Sequence, residues 1–134
     1  MKLTLLTPEK KIVMSQEVDE VVVPGHNGEL DILPGHAPLM TLLSTGILRW
    51  RLKGTTEMNK IVVSWGYCEV NPEGVIVLAE TSVLPEEVQP EAFKSEIKTL
   101  ETKLGIESLD EENWNEAKRR LAELKSGLEM NGLK

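Results

Sequence analysis

The chain has 134 residues, the size of one common domain with room for an appendage, and 40% of them are hydrophobic against 28% charged, which excludes an intrinsically disordered chain. A formal net charge of -7, with no block of lysines or arginines to track a phosphate backbone, argues against a nucleic-acid ligand. Cys68 is the only cysteine, so the chain holds no intrachain disulfide, no CxxC and no cysteine-based zinc cluster, and a reducing compartment fits.

The first residues, MKLTLLTPEKKIV, carry an apolar run too short for a secretory segment, and Pro8 to Lys11 break it. No later stretch approaches the roughly 20 apolar residues that span a bilayer. From Lys2 to about Leu84 the chain reads as short alternating or β-branched runs: KLTLLT, KIVMS, VDEVVVP, APLMTLL, GILRWRL, KIVVSW, YCEV and GVIVLAE. Turn signals such as PEK, GHNG, LKGTT and NPEG separate them, the pattern of an antiparallel sandwich or barrel. In GILRWRL, Leu48, Trp50 and Leu52 fall on one face and Arg49 and Arg51 on the other, as a half-buried strand requires. NPEG predicts a tight turn that pairs YCEV with GVIVLAE as a hairpin.

After Leu84 the period changes from two to about 3.6. Pro85 and Pro90 bound a short acidic connection, and Pro90 suits the first position of a helix. Phe93, Ile97, Leu100 and Leu104 line one face of that helix, which Gly105 is expected to stop. Ser108 and Glu111 are spaced as a capping box for a second helix, whose stripe is Trp114, Ala117, Leu121, Leu124 and Leu128. Two amphipathic helices with so short a connection predict an antiparallel hairpin, which buries too little by itself and must dock on the β-half or on another protein. The expected division is therefore a β-sandwich over residues 1–84 and a helical arm over 85–134.

Residues 25–38, GHNGELDILPGHAP, hold both histidines of the chain, His26 and His36, together with Glu29 and Asp31. These four offer nitrogen and oxygen donors, and one alternative is a small metal-dependent β-sandwich enzyme built on them. Their spacing matches no HxH, HExxH or EF-hand pattern. The other reading is that Gly25, Asn27 and Gly28 make a tight turn while Pro34, Gly35 and Pro38 shape a rigid exposed loop that binds another protein. No GxSxG nucleophile turn and no GxxxxGK[ST] phosphate loop is present, and Cys68 in an alternating strand reads as a small buried hydrophobe. The sequence therefore points away from an enzyme. Lys118, Arg119, Arg120 and Lys125 cluster along the second helix, either as a solvated face with partners such as Glu116 to Arg120 or as a dock for an acidic surface.

The run GELDILPGHAPLMTLLSTGILRW, followed by SWGYCEV and GVIVLAE, resembles the epsilon subunits of F-type ATP synthases, the equivalents of the mitochondrial delta subunit. The match is strong over Gly28–Trp50 and weak after Leu84. The resemblance implies a β-sandwich followed by a helical hairpin, in a non-catalytic subunit of the central rotor stalk with no cofactor of its own. It implies contact with the gamma subunit and the ring of c subunits through Glu29, Leu30, Asp31, Pro34, Gly35, His36, Ala37 and Pro38. It also implies that the hairpin can extend to the alpha and beta subunits of the catalytic head and restrain ATP hydrolysis, with Lys118, Arg119, Arg120 and Lys125 meeting acidic segments there.

Two departures qualify that inference. The ATP motif that opens the first helix in some bacterial members falls here on VQPEAF, with Gln89 in place of the aspartate and Ala92 in place of the arginine, so tight ATP binding is not expected. Asp31 stands where the family more often has glycine. The implied location is peripheral, on the cytoplasmic face of a bacterial inner membrane, with the stromal face of a thylakoid as the alternative.

Overall fold

A computed structural model describes residues 1–106 and 109–133. Among them are seven strands, β1 (Lys2–Leu6), β2 (Lys11–Gly25), β3 (Gly28–Ile32), β4 (Leu39–Leu43), β5 (Gly46–Leu52), β6 (Met58–Asn71) and β7 (Gly74–Val83), then a 3₁₀ turn at Pro85–Glu87 and the helices α1 (Pro90–Ile106) and α2 (Glu111–Met130). The expected sandwich followed by a helical hairpin is the fold observed.

The strands run β1-β7-β6-β4-β2-β3, with β5 bridging β2 and β6, and β1 also pairing with β2. That last pairing closes the sheet on itself and leaves β3 bonded to β2 alone. Closure of this kind removes most of the unpaired edge that would otherwise invite aggregation. The β6–β7 hairpin forms at NPEG with Asn71 opposite Gly74, and the Asn71 side-chain oxygen accepts from the Glu73 and Gly74 amides at 3.0 and 3.1 Å. Gly74 is needed for space, because a Cβ there would lie 2.1 Å from the Lys2 carbonyl oxygen of the parallel neighbour β1.

Two pairs of predicted runs are single bent strands. KIVMS and VDEVVVP join through Ser15, at positive φ beside a register shift against β1, where its amide donates to Thr4 Oγ1 at 3.1 Å. KIVVSW and YCEV join through Trp65 (φ +63°) and Gly66 (φ +129°). At this bend β6 changes partners, pairing with β5 before it and β4 after it. Gly66 is obligatory there, since a Cβ would sit 1.8 Å from the Leu78 carbonyl oxygen. GELDI, outside the runs that read as strands, is the edge strand β3.

Inside the closed sheet Leu3, Leu5, Val18, Val21, Val23, Ile32, Leu48, Ile61 and Val63 have no solvent exposure, and Trp50 packs on them. Each such side chain contributes about 1.5–3 kcal/mol on burial. Val62 points the other way, where it meets Val88, Leu128 and Met130, with Ile47, Val83, Phe93 and Ile97 around them. The hairpin is thus folded down on the outer face of β5 and β6. Pro90 is the first residue of α1, as expected, and α1 continues one residue beyond Gly105 because glycine costs little in a final turn. Ser108 lies outside the described residues; the cap of α2 is Asp110, whose carboxylate accepts from the Asn113 amide at 2.8 Å.

Candidate functional site: an exposed loop, an apolar sheet face and a latched hairpin

Gly25 stands opposite Gly28 across a two-residue turn of His26 and Asn27, which puts His26 at an exposed tip. β3 then carries Glu29 and Asp31 outward. Leu33 to His36 form a turn closed by the His36 amide donating to the Leu33 carbonyl at 3.0 Å. Pro34 at its second position and Gly35 at its third, with φ +86°, are the residues a type II turn requires. The His36 ring donates from Nδ1 to the Ala37 carbonyl at 2.8 Å, which fixes the orientation of the ring. Leu33, Pro34, Gly35, Ala37 and Pro38 are all exposed. The loop is stiff by covalent means and offers backbone and apolar surface rather than a reactive group.

The four donors of the metal reading are not assembled. Among the described residues no three His, Cys, Asp or Glu side chains stand together as a metal site. Glu29 is engaged with Arg49, Nη2 to Oε1 at 2.8 Å. Asp31 faces Glu20, and their hydrogen bond holds the Glu20 carboxyl above its ordinary range, with burial and like charge adding to the effect and Arg51 opposing it. Burial pushes the Cys68 thiol up to about 12, so no thiolate nucleophile is available at neutral pH.

Sequence reasoning missed an apolar face beside the loop. On β4, Met40 and Leu42 are 67% and 65% exposed, and Leu42 pairs across to the half-exposed Tyr67 of β6. Ile76 and Leu78 of β7 continue the same face, opposite Glu69 and Tyr67. A signal was present: APLMTLL is apolar at both phases of the alternation, which marks a strand to be covered on both sides.

The basic residues of α2 do not form one surface. Arg119 lies over the Trp65 ring, 3.5 Å from its centroid. Arg120 pairs with Glu96 of α1 at 2.9 Å and with Glu123 at 3.4 Å, and not with Glu116. Lys125 reaches Glu101 of α1 at 3.7 Å, and Lys118 sits 5.9 Å above Trp114. Two residues outside the predicted stripe complete the docking. Glu123 is buried and accepts from Thr81 Oγ1 at 2.6 Å, while Gly127 lets Phe93 approach so closely that a Cβ would lie 2.8 Å from its ring. Trp114 of the stripe is instead exposed.

Comparison with known proteins places this geometry. Residues 1–85 match the family described as ATP synthase, Delta/Epsilon chain, beta-sandwich domain. The ATP synthase epsilon chain of Bdellovibrio bacteriovorus is 50% identical over 96% of this chain and 92% of its own length. A chain in the Euglena gracilis mitochondrial ATP synthase structure of OSCP, F1 and c-ring superposes with a TM-score of 0.82 at 25% identity, over 97% of this chain and 79% of that one. A chain of the Tetrahymena thermophila central stalk and c-ring shares the fold, with a TM-score of 0.67 at 18% identity over 98% and 96% of the two chains. The chain therefore belongs to the delta/epsilon chain family of ATP synthases.

Proposed function

We propose that this chain is a non-catalytic subunit of the central stalk of a proton-translocating F-type ATP synthase, with the gamma subunit and the c-ring as its partners. The observation that carries the reading is family membership over nearly the whole chain, together with a fold that presents a stiff loop and an uncovered apolar face. Coupling proton flow to rotation needs a foot that does not bend under torque. The Pro34–Gly35 turn and Pro38 supply one, because fixed φ angles leave little freedom to lose on docking.

In this reading residues 1–84 grip the stalk. Glu29, Leu30, Asp31, Pro34, Gly35, His36, Ala37 and Pro38 form the foot toward the c-ring and the base of gamma, while Met40, Leu42 and Tyr67 take the side of gamma. Residues 85–134 are a regulatory arm. Its docked state holds Arg119 on Trp65 of the sheet and ties Arg120 and Lys125 to α1; release from the sheet frees Arg119, and separation of α1 from α2 frees Arg120 and Lys125 to join it and Lys118 on acidic surfaces of the alpha and beta subunits. The complex is membrane-associated and this subunit peripheral to it; among the described residues no helix is long and apolar enough to cross a membrane. We place the subunit on the cytoplasmic face of a bacterial membrane, supported by the bacterial source of its relatives.

The test is ATP hydrolysis by a cognate catalytic head depleted of its own epsilon subunit, titrated with the full chain and with residues 1–84. Both should bind gamma and only the full chain should inhibit. Failure of both to bind refutes the reading.

A further inference from the structure

Trp65 stands where two surfaces meet. It is a bulky residue at φ +63°, a strained backbone state that persists only where its surroundings hold it. It remains 50% exposed although the Arg119 guanidinium covers one side of the indole at 3.5 Å. Four residues further along α2, on the same helical face, Glu123 bonds Thr81, the register partner of Ser64. The hairpin therefore grips β6 at the strained residue and β7 at the position opposite its neighbour Ser64. Two positions along β6 from Trp65 is Tyr67, paired with Leu42 in the uncovered apolar face.

We propose that Trp65 is a shared anchor, held by the docked hairpin on one side and offered to the rotor shaft on the other, so that docking raises the affinity of the apolar face for the shaft. This rests on the reading of that face as the gamma interface. The partner surface it fits is apolar at its centre and basic at its rim. Aromatic and methionine side chains suit the buried centre of an interface, and Glu69 and Glu80 flank this one along the strands. A tryptophan fixed before contact loses less freedom on binding than one that is free to turn, and buried tryptophans carry a large share of binding energy. Coupling of this kind is reciprocal: the shaft must tighten the hairpin by the factor by which the hairpin tightens the shaft.

The experiment uses the full chain and a catalytic head that contains gamma and lacks its own epsilon subunit. Affinity is measured for the wild type, Arg119→Ala, Glu123→Ala, Leu42→Ala and Tyr67→Ala. Hydrogen exchange of the α2 amides is followed with and without the head. Arg119→Ala and Glu123→Ala are expected to weaken binding by about three- to tenfold, the range a single pre-ordered side chain supplies. Binding of the wild type should slow α2 exchange by the same factor. If both variants loosen α2 but bind the head within twofold of wild type, or more tightly, the shared anchor is overturned and the interface stands. If Leu42→Ala and Tyr67→Ala bind as wild type does, the shaft does not sit on this face and the interface reading fails.

Discussion

The sandwich and the hairpin are held by different kinds of contact. In the sandwich a closed ring of strands encloses side chains with no solvent exposure, from Leu3 on the first strand to Val77 on the last. In the hairpin no residue of α1 is buried, and α2 rests on the sheet through a small cluster at Val62, Leu128 and Met130 together with polar links at Arg119 and Glu123. The lesson is that the two parts separate at different costs. Detaching the hairpin uncovers one small cluster and returns Arg119 and Glu123 to water, whereas opening the sandwich breaks the core and its ladders together. Stability that is unequal within one chain is what a movable arm on a rigid base requires.

The sharpest way to break the comparison is to weaken each core. Ile61→Ala, inside the ring, should cost about 2–5 kcal/mol and lower the denaturation midpoint of the whole chain. Leu128→Ala deletes as much side chain, but the loss read at the sandwich is capped because the hairpin leaves first. Its signature in hydrogen exchange is faster α2 amides with β6 amides unchanged. A matched fall in both regions would show that sandwich and hairpin unfold as one unit.

Next in size is Glu123→Ala, which leaves Thr81 without its acceptor and Arg120 without one of its two carboxylates. Loss of a buried hydrogen-bonded charge should destabilise the docked hairpin by about 1–3 kcal/mol. Lys125→Ala removes only an exposed pair with Glu101 and should cost under about 1 kcal/mol. Exchange rates in α2 distinguish the two variants directly.

The two regions differ in thiol chemistry as well. Cys68 is buried in the ring with its thiol pushed up to about 12, so a thiol reagent should modify it only on global opening. Releasing the hairpin with Leu128→Ala should leave that rate unchanged, and acceleration would mean that the sandwich loosens when its arm departs.

The smallest effect lies where β3 meets β2. Asp31 holds the Glu20 carboxyl above its ordinary range, so the folded state keeps a proton that the unfolded chain has already released. The stabilisation from that proton is complete below the ordinary glutamate range and is lost as pH rises through the raised value. Asp31→Gly should flatten the stability profile in that window, as read from denaturation midpoints at successive pH values. An unchanged slope would mean that Glu20 and Asp31 do not interact in solution.

Much of this arrangement was legible in the sequence. The alternation of Leu48, Trp50 and Leu52 against Arg49 and Arg51 set the inner and outer faces of β5, and the switch of period after Leu84 divided strands from helices. GHNG and NPEG located two hairpin turns correctly. The candidate loop was legible because proline and glycine dictate its turn with no help from elsewhere. The apolar sheet face was not recognised, because an exposed Met40 and a buried Leu43 look alike until the partner layer is known. Glu123 and Gly127 escaped notice because a helical stripe is sought among large apolar residues, and these two serve by a hydrogen bond and by absence of bulk.

The sequence by itself determined the local conformations: which segments alternate, where the chain must turn, where helices begin, and the residues that identify the family. These follow from side-chain period and backbone freedom, which act over a few residues. Tertiary structure decided that β1 closes the ring between β7 and β2, that Trp65 bends β6, and that α2 lies with Arg119 on that tryptophan and Glu123 on Thr81. Such contacts join residues dozens of positions apart. Their energy depends on the shape the whole chain has taken, which no local window contains.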